Sequence, residues 1–164
     1  MGKKSIKENK NVYQISREEA GLTRAAASEL MEFISADRIE KIESEKSAPH
    51  ADEIMAMSKV YKDPELCNHY CSNECPIGQR YVPEIKIKEL SQITLEMIAS
   101  LNAMENEKNR LIEITVDGKI SEDEQADFAQ IKKKLDDIAI SVQSLQMWID
   151  NAILTGCIIE SNTP

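Results

Sequence analysis

Three of the four cysteines fall within Cys67-Asn68-His69-Tyr70-Cys71-Ser72-Asn73-Glu74-Cys75-Pro76, a C-x3-C-x3-C run. Thiolates are metal ligands and redox nucleophiles, so this run is where the chain could do chemistry. On a continuing helix Cys67 and Cys71 lie one turn apart on one face, and a chain turning at Pro76 brings Cys75 beside them. His69 projects about 160° from Cys71 on such a helix. His50, in the preceding loop, is a better fourth ligand for tetrahedral zinc. Three readings stay open: a zinc site, a redox-switching thiol pair, and reduced half-buried cysteines that pack a domain junction as small hydrophobes. Cys157 stands apart.

Glu113-Ile-Thr-Val-Asp117-Gly118-Lys119-Ile120-Ser121-Glu122-Asp123-Glu124 matches the later positions of a calcium-binding EF-hand loop through Asp117, Ile120 and Glu124. Its first and third ligand positions hold Glu113 and Thr115 instead of the expected Asp and Asp or Asn. A capped helix-to-helix turn explains the same residues. With two histidines, no Gly-rich phosphate loop and no Ser/His/Asp set at readable spacing, the sequence gives no nucleophile with its base, and an enzyme is not expected.

The elements that position these residues are helical throughout. Only 5 Gly and 5 Pro in 164 residues, with 41% hydrophobic and 30% charged, describe a chain able to enclose a core. Apolar runs of four residues or fewer are too short to span a bilayer, and Met1-Gly2-Lys3-Lys4 leads into polar residues, so a cytoplasmic protein with no membrane partner is expected. The first ten residues, with four lysines, read as a flexible basic arm. Helices follow up to Ala20, closed by Gly21; over about 24–32 behind Thr23; and over about 36–45 behind Ser35. A fourth opens at Pro49 through Ile54, Met57 and Tyr61, and a fifth opens at Asp63-Pro64 with Leu66 and Cys67. A junction over 67–83 carries the cysteines.

From Glu84 to Thr115 one long helix is expected, with Leu90, Met97, Met104 and Leu111 recurring every seven residues and Ile93 and Leu101 between them. A second carries Phe128, Ile131, Leu135, Ile138, Val142, Leu145, Ile149 and Ala152 at coiled-coil spacing. The Asp117-Gly118 turn and the capping pattern Ser121-x-x-Glu124 make the two antiparallel neighbours. The fold class is therefore all-α: five short helices over 11–66, then a two-helix hairpin over 84–164.

The net charge of -9 argues against a generic polyanion binder, but residues 1–65 carry only -2 of it and residues 66–164 carry -7. With 4% aromatics there is no platform for stacking single-stranded bases, which leaves groove reading of duplex DNA in the first half. There the chain resembles the Xre or lambda-repressor-like helix-turn-helix family over residues 11–65. The resemblance lies in Arg17-Glu18-Glu19-Ala20-Gly21-Leu22-Thr23, Ala27-Ser28-Glu29-Leu30, Ile39-Glu40-Lys41-Ile42-Glu43 and Ala48-Pro49. It implies a DNA-binding transcriptional regulator whose third helix enters the major groove. Arg17 and Glu43 would form a structural ion pair, and Ser35 would cap the recognition helix. The positions facing DNA would be Asp37, Arg38, Glu40 and Lys41: the two cations suit guanine or phosphate, the two acids suit cytosine. Arg24 would clamp a phosphate. Two departures stand out: Glu32-Phe33-Ile34 occupies a turn where the family usually has glycine, and the stretch from Leu22 to Glu43 is one residue longer. The alternative functions are a protein-interaction or assembly module that keeps the fold, and a thiol- or metal-responsive sensor.

A second stripe, Ile140, Met147 and Leu154 with Trp148 beside it, joins Ile98 and Ile112 as the expected homodimer interface.

Overall fold

The computed structural model describes residues 10–158, and no strand occurs among them. α1 (Val12–Glu19) starts behind Asn11, whose side chain accepts from the Gln14 N–H, and Gly21 at φ +73° closes it. α2 (Arg24–Met31) and α3 (Ala36–Glu43) start behind Thr23 and Ser35, each hydroxyl accepting an N–H three residues on. α4 (Ala51–Tyr61) is capped by Glu53, which accepts from the His50 N–H at 2.7 Å, and Lys62 in the left-handed region ends it. α5 (Glu65–His69) runs into a π-helical turn, Tyr70–Glu74, and the short α6 (Gly78–Tyr81) follows. Tyr13, Ala27, Met31, Ile34, Ile39, Ile42, Ile54, Met57, Tyr61 and Leu66 form one buried cluster among α1–α5.

The turn between α2 and α3 solves its missing glycine at some cost. Glu32 takes φ +63°, ψ -45°, a conformation an L side chain rarely adopts. Glu32→Gly is therefore expected to raise stability by about 0.5–1 kcal/mol, strain relief outweighing the entropy of glycine. Urea unfolding of the two chains checks this, through a higher midpoint at equal slope.

The chain divides into two compact units, the first holding residues up to Glu84 together with those from Ile149 onward, the second Ile85–Trp148. Residues 1–9 of the expected basic arm lie outside the described residues. Lys10, its last member, pairs with Glu18 at 2.7 Å.

In the second unit lie α7 (Leu90–Thr115) and most of α8 (Gln125–Leu154), packed as an antiparallel hairpin. α7 begins six residues later than expected. After Pro83 the alternation Glu84-Ile85-Lys86-Ile87-Lys88 has the period of extended chain, and Ile85 is buried while Glu84 and Lys86 are exposed. The turn behaves as a cap: the Asp117 carboxylate accepts from the Lys119 N–H at 3.0 Å and Glu124 accepts from the Ser121 N–H at 3.0 Å. Both carboxylates that imitate calcium ligands are thus engaged in the turn itself.

The hairpin seam differs from the expected one. On α7 it follows Ile93, Met97, Ser100, Met104, Glu107, Leu111 and Ile114, all buried or half-buried. On α8 it follows Ile131, Lys134, Ile138, Ser141 and Leu145. Phe128, Leu135, Val142 and Ile149, expected inside, are 37–45% exposed. Polar residues share the seam because they pair across it: Lys134 with Glu107, and the Ser100 and Ser141 hydroxyls at 3.5 Å.

Candidate nucleic-acid interface

α3 is held at both ends. At its C-terminal end Glu43, with a side chain 1% exposed, accepts from Arg17 Nε at 2.5 Å, Arg17 Nη2 at 2.9 Å and Arg24 Nε at 2.8 Å. Arg17 Nη1 also donates to the Leu22 carbonyl at 2.6 Å, tying the end of α1 to the start of α2. Burial alone would lower the Arg17 pKa. Its bonds to Glu43 outweigh that and leave it above the ordinary value. Asn11 Nδ2 reaches the Ile42 carbonyl at 2.9 Å, a further link from α1 to α3. The expected Arg17–Glu43 pair and the Ser35 cap are both in place.

Arg38 has a different task from the one its position suggested. Its Nε and Nη2 grip the Glu53 carboxylate at 2.6 and 2.7 Å, Nη1 donates to Ser47 Oγ at 2.6 Å, and Nη2 also reaches the Ala48 carbonyl at 2.9 Å. A guanidinium so committed fixes the first turn of α3 against α4 and has little left for a guanine edge. The bonds to Arg38 hold the Glu53 carboxyl below the usual range. Glu53 escaped the sequence reading, although an acid three residues after His50 at a helix start was the available signal.

The face that α2 and α3 turn to solvent carries Asp37 and Lys41, both exposed, with Glu40 and Arg24 half-buried beside them. Arg24, the expected phosphate clamp, shares Glu43 with Arg17 but keeps its side chain 39% exposed. Glu40 pairs with Lys46 at 3.0 Å, which lowers its carboxyl pKa. Lys41 forms no ion pair among the described residues. Glu29 and Glu32 at the end of α2 and Glu45 beyond α3 are exposed, as are Leu30 and Phe33, at 59% and 61%.

The cysteines are free thiols. Cys67, Cys71 and Cys75 are half-buried and Cys157 is exposed. Burial raises the Cys71 pKa, and the nearby Cys75 and Cys67 raise it further, the opposite of a thiol activated for attack. Among the described residues no group of three or more His, Cys, Asp or Glu is arranged to hold a metal ion, and His50 is exposed at the start of α4. Tyr13 donates to Glu74 at 2.5 Å and meets His69 edge-on at 6.1 Å, so the π-helical turn is anchored to α1.

The expected dimer stripe is unevenly exposed. Met147 is 8% exposed, and Trp148 and Leu154 are half-buried. Leu154 and Ile153 line a groove of about 410 Å3 with Met55, Ser58 and Cys67 in the first unit. Ile140 alone of the four is exposed, at 38%.

No helix among the described residues is long and apolar enough to cross a membrane. No protein-family model, curated protein or solved structure matches the chain.

Proposed function

We propose that the chain is a sequence-specific DNA-binding transcriptional regulator, acting in the cytoplasm through α2 and α3 and working as a pair of copies on two half-sites. The observation that supports this best is the immobilisation of α3. Ion pairs at both of its ends, Arg38–Glu53 and Arg17–Glu43–Arg24, fix a short helix whose exposed Asp37 and Lys41 form no ion pair among the described residues. Rigid presentation of a few side chains is what groove reading needs. Lys41 and Arg24 supply the phosphate contacts, Asp37 and Glu40 face base edges, and Arg38 positions the helix. No metal, cofactor or reaction enters this reading.

A protein-assembly role for the same fold is favoured by one observation: the exposed Leu30 and Phe33 stand next in sequence to the exposed Glu29 and Glu32 at the end of α2, a surface that suits a basic, partly apolar partner better than phosphate.

Selection of bound fragments from a genomic DNA library by the full chain separates the two. The regulator reading expects a recurring half-site, with binding weakened across all sequences by Lys41→Ala or Arg24→Ala and sequence preference relaxed by Asp37→Ala. Failure to retain any fragment at low salt would leave the assembly role.

A further inference from the structure

The hairpin of α7 and α8 is two-faced. In a right-handed helix the residue after each seam position lies to one side of the seam and the residue before it to the other. The local twofold of an antiparallel pair keeps each of these sides on one face of the hairpin. The face formed by the preceding residues is largely polar, with Glu96, Asn106 and Arg110 on α7 and Gln130, Lys133 and Asp137 on α8, and Ile140, 38% exposed, its one large apolar side chain. Arg110 also bonds Asp127 there at 2.8 Å. The opposite face carries Ile98, Leu101 and Ile112 from α7, 50–57% exposed, and Phe128, Leu135 and Val142 from α8, 37–45% exposed. So much apolar surface on one side of a helix pair marks an interaction site.

We propose that this face binds a second copy of the chain, joining two hairpins into a four-helix bundle about a twofold axis that passes near Leu135. Three features point to a copy of the same chain. First, the face is symmetric about its own middle. The Ser100–Ser141 contact sets the levels of the two helices, placing Ile98 beside Val142, Ile112 beside Phe128, and Glu105 beside Leu135 midway. A twofold at that midpoint lays each apolar end of one copy on the other end of its partner. Second, the face tolerates its own charges: Glu105, at its middle, already holds Lys108 of the same helix at 2.5 Å. Third, the size fits. The 26 residues of α7 rise ~39 Å and two helices side by side span ~20 Å, so the face offers ~800 Å2, about what each partner of a standard interface contributes.

The proposal gives the paired regulator its interface, replacing the stripe through Met147. It stands on the second unit alone, and DNA plays no part in its readout, so the two readings fail separately. Sedimentation equilibrium of the full 18.5 kDa chain at tens of micromolar is the test. The mass expected is two chains, falling to one in the double variant Leu101→Glu/Leu135→Glu with far-UV circular dichroism unchanged, and staying at two in Ile140→Glu, which lies off the face. A photoreactive phenylalanine placed at 135 in the otherwise native chain is expected to give a covalent dimer, and one placed at 140 is not. A mass of one chain for the native protein, a dimer that survives the double variant, or cross-linking at 140 and not at 135 would overturn the proposal.

Discussion

Replacing Glu43 by alanine is expected to cost about 3–5 kcal/mol and to lower the melting temperature by roughly 6–20 °C. Glu43 is the single anion between two guanidinium groups, and Arg17 is 7% exposed at its side chain. Removing the carboxylate leaves Arg17, a charge that has lost its solvent, with only the Leu22 carbonyl at 2.6 Å and Glu18 at 4.0 Å, a larger loss than the net worth of the pair. The double variant Arg17→Met/Glu43→Leu should therefore recover a large part of the loss, since apolar groups of similar volume bury without that penalty. Calorimetry of the native, single and double variants checks it. A Glu43→Ala protein within 1 kcal/mol of the native one would mean that the triad does not hold α1, α2 and α3 together.

Gly78→Ala is the second large effect. Gly78 opens α6, and a Cβ there would stand 2.0 Å from the Cys71 carbonyl oxygen and 2.6 Å from its carbon. These are backbone atoms of the π-helical turn, so no rotamer change relieves the overlap. α6 or the cysteine segment must move, at an expected cost of about 1–3 kcal/mol or more. Because Cys71 is half-buried by this packing, its alkylation should accelerate in the variant, while that of the exposed Cys157 should not change. Thiol-labelling mass spectrometry and thermal unfolding read both effects. Unchanged labelling and melting would show that the close approach is dispensable.

Much of this architecture is legible in the residues because it is written locally. Thr23, Ser35 and the Asp117-Gly118 turn act through bonds to residues two or three positions away, so composition and spacing suffice to place them. The core positions Ile39, Ile42, Ile54, Met57 and Tyr61 follow from helical period. What the sequence hides are choices made across the chain. Arg38 looks like a base reader until Glu53, fifteen residues on, is seen to capture it. The apolar stripe of α8 is wider than one seam, and its period cannot tell which half faces α7. That depended on Ser100, Glu107, Lys134 and Ser141 finding partners across the hairpin. The cysteine run gave correct neighbours but not their purpose, since a π-helical turn and a close glycine govern how those thiols are arranged.

The salt dependence of DNA binding speaks most plainly to the role of α3. Affinity of the full chain for its best selected fragment is measured between 50 mM and 200 mM salt, for the native protein and for Lys41→Ala. The expected result is a linear fall of log K against log salt, with the slope reduced by about 1 in Lys41→Ala as one phosphate contact is lost. Binding that ignores salt, or a slope that Lys41→Ala leaves unchanged, would contradict groove recognition by α3.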